Sequence, residues 1–294
     1  MGTTMNNRIL LVCFAMTLTL AACDNSKHPP AISATQPRPS LPPGQIADSK
    51  YDWQGYFAGV SSIDNIPYYS EALLTEDGEL RIYIDYAEPY LFAGTVEYGH
   101  DHADGTHGSG RLLRLECSGS MPPASCTEPL AAEVHLTDVT NGYLYGELSV
   151  STPQGDEAWP LSMTWPSSTY IYAATLNRVQ GNYVEWLADY SRNQDTVISV
   201  DTQGELFFQS PSTGCTGNGL LTPHLAAATS VYAASLSIGN CAADFAYLNT
   251  DFTGFATMTY ADWEWADGDF LVLWLDTPGS APAATALVMW GLRK

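Results

Sequence analysis

The stretch YGHDHADGTHGSG, residues 98–110, carries the residue types best suited to bind a metal ion. Its three histidines follow the spacing His-x-His-x4-His, with aspartates between them and glycines around them: His100, Asp101, His102, Asp104 and His107. Imidazole is a good ligand for Zn, Cu and Ni, and a glycine-rich loop can wrap a small ion. The spacing therefore predicts a divalent-metal site formed by His100, His102 and His107. The alternative is a hairpin tip whose polar residues and glycines only make a soluble turn.

Signals for reaction chemistry are weaker. The chain contains no G-x-S-x-G, no H-E-x-x-H and no Walker loop. The stretch ADWEWADGD could supply a glycosidase-like carboxylate pair, but it is also typical of a solvated turn between strands; its acidic residues are Asp262, Glu264, Asp267 and Asp269. We therefore predict no catalytic residue, no cofactor and no enzyme activity. His135 and His224 are interpreted as ordinary polar residues.

The first 22 residues have the anatomy of an export signal. A single arginine in MGTTMNNR precedes the apolar run ILLVCFAMTLTLAA, which is too short to span a bilayer comfortably. The next residues, LAAC at 20–23, resemble the bacterial lipobox, whose cysteine is acylated and becomes the first residue of the mature protein. The resemblance implies a lipoprotein signal peptide over 1–22, lipidation of Cys23 and attachment to a membrane. An ordinary secretory signal with Ala-x-Ala cleavage, or a short membrane anchor, is the alternative.

Residues 23–50 are predicted to be a disordered tether. They carry six prolines and almost no apolar side chains, so they cannot bury enough surface to fold. A polyproline II chain rises about 3.1 Å per residue, which would place a domain up to roughly 80 Å from the bilayer. Asp24 resembles the signal that retains enterobacterial lipoproteins in the inner membrane. We therefore expect a bacterial cell-envelope location facing the periplasm, with the inner membrane favoured and the outer membrane as the alternative.

The charge balance excludes one class of partner. The formal net charge is −21, with only 11 Lys and Arg residues against 32 Asp and Glu. Nucleic acids and anionic lipid headgroups need clustered cations, so neither is expected to bind. An acidic surface would concentrate cations or basic peptides; alternatively, it only keeps the protein soluble in salty surroundings.

An internal repeat divides the rest of the chain. At an offset of 126 residues, Gly55 falls on Gly181, and LLTEDGELRIYI falls on SVDTQGELFFQS. At an offset of 125, Gly94 falls on Gly219. The pattern indicates two copies of one module, with β-barrel modules over 51–166 and 179–294 joined by a linker over 167–178. A short helix in SSTYIYAATLNR, capped by Ser167 or Ser168, is expected in that linker.

Each module is predicted to form eight short strands. Apolar and polar residues alternate in RIYIDY, the pattern of a half-buried strand, and Asp-Gly or Gln-Gly pairs at 77–78, 203–204 and 267–268 suit tight turns. Strand five of the first module is placed at 110–118, after the histidine loop. Eight short strands without a long amphipathic helix favour an up-and-down barrel, which has no free edges. The predicted fold is all-β, with two tandem eight-stranded antiparallel up-and-down barrels of the lipocalin or streptavidin kind.

Four cysteines remain after Cys13 leaves with the signal and Cys23 takes lipid. In an exported protein they indicate two disulfides with three possible connectivities, and the repeat favours the local pairs Cys117–Cys126 and Cys215–Cys241. If Cys215 and Cys241 face each other directly, the hairpin that joins their strands turns at residue 228, inside LAAAT.

The lipobox, the Pro-rich tether, the paired G-x-Y/F openings and the motifs DTQGELFF, GCTGNG and VYAASLSIGNC together resemble tandem β-barrel lipoproteins of proteobacteria. These motifs are structural and carry no activity, and the first module has Tyr90 where the second has Cys215. The resemblance covers most of the mature chain. We expect a lipid-anchored periplasmic protein that binds, neutralises or scaffolds an envelope partner without catalysis, with divalent-metal binding as the alternative.

Overall fold

The computed structural model describes most of the chain from Gly55 onward. The described ranges are 55–75, 77–86, 89–98, 106–114, 129–139, 143–164, 174–186, 192–224, 231–242, 250–263, 266–277 and 286–294. The predicted signal peptide, Cys23 and the tether lie outside these ranges. Within them the chain forms sixteen strands and one short helix, arranged as two closed antiparallel barrels in tandem, which confirms the predicted fold class.

The first barrel closes in simple chain order, each strand pairing with the next and β8 pairing with β1. Its strands are β1 Gly55–Ile63, β2 Ile66–Leu74, β3 Glu79–Ile84, β4 Tyr90–Tyr98, β5 Thr106–Arg114, β6 Leu130–Asp138, β7 Tyr143–Thr152 and β8 Gly155–Thr164. Closure leaves no strand edge of this sheet unpaired.

The second barrel repeats the same order and closes between its first and last strands. It consists of β9 Gly181–Trp186, β10 Arg192–Val200, β11 Glu205–Ser210, β12 Cys215–Pro223, β13 Val231–Gly239, β14 Thr250–Trp263, β15 Ala266–Asp276 and β16 Ala286–Arg293. The pair Asp267–Gly268 lies inside β15, opposite Asp262 and Ala261, so the turn predicted there was wrong. The strand pairing continues past it as far as Trp263 and Ala266.

Apolar side chains occupy the interior of each barrel. The first interior cluster has members on all eight strands, and the second does too. Alternation along the strands explains this, because every second side chain points inward. In β3, for example, Leu80, Ile82 and Ile84 are inward and fully buried.

The two modules build the same turn at equivalent positions. Gly78 and Gly204 have φ angles of 88° and 85°, and each carbonyl accepts a 2.8 Å hydrogen bond, from the amides of Val96 and Leu221 respectively. A Cβ atom at either glycine would lie 2.6 Å or 2.3 Å from a backbone oxygen. Both the left-handed backbone and the close approach require glycine here.

The described end of the predicted linker contains a short helix. Helix α1 spans Leu176–Val179, and its N-cap residue is Thr175 rather than Ser167 or Ser168, which lie outside the described residues. Val179 packs into the interior of the second barrel. Tyr232 fixes the helix start, since its hydroxyl donates to the Thr175 carbonyl at 2.9 Å and accepts from the Thr175 amide at 3.1 Å. Within the described ranges no helix is long and apolar enough to cross a membrane.

A third apolar cluster lies between the two barrels. It joins outward side chains of β1 to β5 with outward side chains of β9 and β13 to β16. Its buried members are Tyr56, Leu73, Tyr83, Leu91, Ala93, Leu113, Val184, Val231, Phe255, Phe270, Val272, Trp274, Ala286 and Leu292. Strands β3 and β15 are therefore buried on both faces. Burial of each large apolar side chain contributes about 1.5–3 kcal/mol, so this contact holds the two barrels together strongly.

The packing faces of the two barrels are not equivalent. The first barrel contributes chiefly β1 to β4, and the second contributes chiefly β14 to β16, which correspond to β6 to β8 of the first. Strands β10 to β12, the equivalents of β2 to β4, contribute no buried side chain to this cluster. At the repeat offsets, Leu73 corresponds to Ser199 and Tyr83 to Gln209. Ser199 is half-buried and Gln209 is exposed.

Candidate functional site

Four polar side chains form a row across the outer face of the first barrel. Glu97 on β4 faces His107 on β5, His107 faces His135 on β6, and His135 faces Glu147 on β7. All four are exposed, while Val96, Val134 and Leu148 beside them are buried in the interior. We call these four side chains the histidine row. Strand pairing fixes their order, since directly opposed residues of neighbouring strands point to the same face.

The two imidazoles at the centre of the row lie against each other. The ring centroids of His107 and His135 are 4.3 Å apart and the rings are parallel to within 4°. They border a surface depression of about 440 Å³, which is also lined by Glu97 of the row and by Glu133 on β6. Its lining residues are Thr95, Glu97, His107, Gly108, Ser109, Glu133, Val134, His135 and Ser149, and none of these nine is a lysine or an arginine. The depression therefore combines two imidazoles with two carboxylates and no neutralising cation in its lining.

The structure changes the position of the predicted histidine site. His107 lies in β5, which begins at Thr106, and not in the hairpin loop. His100 and His102 lie outside the described residues, between Tyr98 and Thr106. The strand was predicted four residues too late because THGSG was interpreted as a loop. In the barrel, Gly108 and Gly110 take inward positions where a Cβ atom would lie 2.6 Å from Val96 and 2.8 Å from Phe92, so glycine makes room for larger inward side chains.

His135 was missed as a neighbour of His107. A usable signal existed, because continuing the alternation of Leu112 back through Gly110 and Gly108 places His107 outward on a strand. The amino-acid sequence contains no signal for the pairing of His107 with His135, since residues 115–128 separate their strands and do not indicate the register.

A buried carboxylate lies between the barrels. Glu71 on β2 is 2% exposed. Its Oε1 accepts hydrogen bonds from the hydroxyls of Tyr56 at 2.6 Å and Tyr69 at 2.7 Å, and its Oε2 accepts one from the indole of Trp290 at 3.1 Å. Burial raises the pKa of Glu71 and outweighs the three hydrogen bonds, which act to lower it. Glu71 and its three donors do not line the depression beside the histidine row. Because Tyr56 and Tyr69 belong to the first barrel and Trp290 to the second, these hydrogen bonds stabilise the contact between the barrels.

A second buried carboxylate crosses the same contact. Asp276, at the end of β15, accepts from Arg81 at 3.3 Å and from Arg111 at 3.1 Å, one through each carboxylate oxygen. Arg81 and Arg111 flank Ala93 on adjacent strands, and the small side chain leaves room for the carboxylate. Burial raises the pKa of Asp276 even though both arginines act to lower it. Two of the few cationic side chains are therefore committed to the contact between the barrels.

His224 also bridges the barrels. Its Nε2 lies 3.2 Å from Oδ1 of Asp77, in the β2–β3 turn, and its ring packs edge-on against Phe255 with 5.0 Å between centroids. Partial burial raises the pKa of Asp77, but hydrogen bonds from Thr75 and His224 reverse the effect and the net shift is downward. The position of His224 thus has a structural use that its sequence context did not indicate.

One of the two predicted disulfides lies within the described residues. Cys215 and Cys241 are bonded, with 3.9 Å between their Cα atoms, which confirms this pair. The predicted direct opposition was wrong by one residue, since Thr216 faces Gly239 and Asn240 adopts a φ of 57° just before Cys241. Cys117 and Cys126 lie outside the described residues, as does the predicted lipidation site Cys23.

In the acidic stretch ADWEWADGD, the described side chain of Asp269 contacts an arginine. Asp269 accepts a 2.8 Å hydrogen bond from Arg293, which also donates to the Arg178 carbonyl and to the Tyr183 hydroxyl. The side chains of Asp262 and Asp267, and all of Glu264, fall outside the described part. Among the side chains that the structure describes, no group of three or more His, Cys, Asp and Glu residues is arranged to hold a metal ion.

Comparison with protein-family models and with curated proteins finds no match for the chain.

Proposed function

We propose that the chain is a lipid-anchored periplasmic protein that binds an envelope partner without catalysis, and so neutralises or scaffolds it. The observation that carries this proposal is the filling of both barrel interiors by apolar side chains from all their strands. An eight-stranded barrel is either filled in this way or holds one small ligand. Filled interiors favour recognition on the outer faces and rims.

The anchoring part of the proposal is supported by LAAC at 20–23 and by the Pro-rich segment behind it. Metabolic labelling tests the anchor directly: cells that express the chain are grown with a labelled fatty acid. Label on the wild-type chain and its loss from Cys23→Ala are expected; an unlabelled wild-type chain contradicts the proposed anchor. Separation of inner and outer membranes then reports the effect of Asp24, for which Asp24→Ser is the comparison.

Among the described strands, two outer faces carry aromatic or apolar side chains that suit contact with a partner. In the first barrel, β4 to β7 present the histidine row, and β7 adds the stacked rings of Tyr143 and Tyr145, whose centroids are 5.5 Å apart. In the second barrel, β11 and β12 present Phe207 and Leu220, which are 45% and 42% exposed. Aromatic side chains at the surface are enriched in protein interfaces.

Photo-crosslinking tests whether either face binds a protein. A photoreactive phenylalanine analogue is placed at Tyr145 or at Phe207 in the full chain, with Ile66 as the control because it is 53% exposed in a different region. We expect one discrete crosslinked protein from Tyr145 or Phe207 and none from Ile66. Identical products from all three positions, or capture of lipoprotein-processing machinery alone, would contradict a dedicated partner site.

Divalent-metal binding through the loop 100–107 is the second candidate function. The specific observation that favours it is that His107, the last histidine of that segment, stands beside another imidazole and two glutamates. Calorimetric titration of the chain with Zn(II) and Cu(II) tests it. No heat below about 10 μM ion, where the weak binding of His-rich tracts would still register, would remove this candidate.

A further inference from the structure

We propose that His107 and His135 are the protein ligands of a divalent first-row transition-metal ion, bound on the strands of the first barrel rather than in its hairpin loop. This inference rests on the second candidate function, divalent-metal binding, and changes both its location and its ligands. It adds His135, which lies 28 residues beyond His107 in the sequence and was interpreted as an ordinary polar residue.

Strand pairing supplies the geometry that a loop lacks. His107 and His135 are directly opposed on neighbouring strands, where Cβ atoms lie about 4.5–5.5 Å apart. Two imidazole nitrogens at about 2.0 Å from one ion fit that separation. The rings are stacked, so one ring must turn about its side-chain torsions for both nitrogens to converge. Both side chains are exposed, and the open depression of about 440 Å³ gives room for this rotation.

The surroundings of the pair favour a cation. Glu97 faces His107 and Glu147 faces His135, so a carboxylate flanks the imidazole pair on each side. Glu133 adds another carboxylate to the wall of the depression. The described side chains form no prearranged group of three ligands. Water, or a glutamate that rotates inward, must therefore complete the coordination.

The ligand types select the ion. Imidazole nitrogens suit Zn, Cu and Ni, whereas Ca and Mg prefer sites made of oxygen atoms alone. For a site with two nitrogens and exchangeable oxygen ligands, affinity follows the Irving–Williams order, so Cu(II) binds more tightly than Zn(II) or Ni(II). The site is open to solvent and lacks a closed tetrahedral shell, which makes it suited to exchangeable capture of the ion.

Calorimetric titration of the full chain with Cu(II) and with Zn(II) tests the proposal. The variants are His107→Ala, His135→Ala and His135→Gln, the last of which keeps a polar side chain of similar size. The loop double variant His100→Ala with His102→Ala separates the loop from the strands. His224→Ala is the matched control, since it removes an imidazole from the other barrel. Circular dichroism verifies that each variant keeps its β structure.

We expect one ion per chain, at least tenfold weaker binding in each variant of His107 and His135, and unchanged binding in the loop variant and in His224→Ala. The Cu(II) complex should show electron paramagnetic coupling to two nitrogen atoms. Full binding by His135→Ala, or an absence of nitrogen coupling, overturns the strand site. If only the loop double variant loses binding, metal capture by the loop stands and this inference falls. If the wild-type chain binds neither ion, both fall.

Discussion

Glu71 occupies a position where a single hydroxyl group has a measurable effect. Its carboxylate is buried and accepts three hydrogen bonds, two of them from the tyrosines Tyr56 and Tyr69. Hydrogen bonds to a charged group contribute about 1.5–3 kcal/mol. We expect Tyr56→Phe to lower the free energy of unfolding by about 1–3 kcal/mol at pH 7, measured by urea denaturation. Tyr145→Phe, on the outer face of β7, is the control and should change it little.

The loss of unfolding free energy in Tyr56→Phe should depend on pH, because the pKa of Glu71 is raised. Burial is the main cause of the shift, so the folded chain holds the Glu71 proton more tightly than the unfolded chain does. Ionised Glu71 therefore costs stability above its folded pKa, and this cost disappears as the pH falls below the unfolded value of about 4.3. Loss of the Tyr56 donor increases the cost. The loss of stability in Tyr56→Phe should be larger at pH 7 than at pH 4; an equal loss at both would contradict the role given to ionised Glu71.

Asp276 is expected to be less replaceable than other aspartates of its barrel. Its neutralisation leaves the buried Arg81 without its partner carboxylate across the contact and removes the ion pair of Arg111. Removal of one partner from a buried ion pair costs about 3–5 kcal/mol. We therefore expect Asp276→Asn to lower the free energy of unfolding by about 3 kcal/mol or more. Asp251→Asn is the matched control, because Asp251 is exposed and accepts a hydrogen bond from Ser237. Equal effects in chemical denaturation would refute the special place of Asp276.

At the scale of strands, a glycine pair sets how closely β4 and β5 approach. Gly94 faces Gly110, and a Cβ atom at Gly94 would lie 2.4 Å from the Ser109 carbonyl oxygen and 2.7 Å from the Phe92 ring. Gly94→Ala should destabilise the first barrel by about 2 kcal/mol or more, since overpacking moves both backbone and ring. Thermal unfolding measures it, with the exposed neighbour Thr95→Ala as control. A melting temperature unchanged by Gly94→Ala would show that the strands can separate freely.

The disulfide gives a second prediction for a pair of strands. Cys215 and Cys241 close a loop with a sequence separation of 26 residues. Under the chain-entropy model, a loop of this size contributes about 3–4 kcal/mol. The double variant Cys215→Ala with Cys241→Ala should lose about this much free energy of unfolding in denaturant titrations. Addition of reductant to the double variant then measures the predicted Cys117–Cys126 bond by itself.

Alternation of apolar and polar residues, together with the repeat, was sufficient to predict the number of strands and their order. It failed at β5, where Gly108 and Gly110 are inward residues of a strand but have the composition of a loop. It also failed at Asp267–Gly268, which suits a turn yet lies within β15. Glycine favours both turns and crowded strand interiors, and only the neighbouring strands determine which applies. Because the glycines beside His107 were assigned to a loop, His107 was not placed on a strand and its pairing with His135 was not predicted.

For the whole molecule, the contact between the barrels should make them unfold together. Leu73 on β2 is fully buried in the cluster between them. We expect calorimetry of the wild-type chain to show one cooperative transition, and Leu73→Arg to separate it into two or lower its temperature markedly. Leu220→Arg makes the same substitution at a side chain that is 42% exposed and should leave the transition intact. Two separate transitions in the wild-type chain would contradict this coupling.

The contact between the barrels was not predicted, although one signal for it existed. The run FLVLWL at 270–275 is apolar at every position, which is typical of a strand buried on both faces. In β3, by contrast, RIYIDY indicated a half-buried strand, because Arg81 and Tyr83 are polar enough to face water. Their burial depends on Asp276 and Trp290, residues of the other barrel about 200 positions away. Such a distant partner leaves no trace in local periodicity.

The unequal packing faces make the contact between the two barrels a head-to-tail one. When one side of a unit docks on a different side of the next, the contact repeats head to tail and does not close by itself. Strands β10 to β12 would offer the next docking side, but Ser199, Gln209, Thr216 and Asn218 stand where Leu73, Tyr83, Leu91 and Ala93 do in the first barrel. These hydrophilic replacements keep the wall from repeating the docking surface of the first barrel, and its exposed Phe207 and Leu220 stay available to a partner of a different kind.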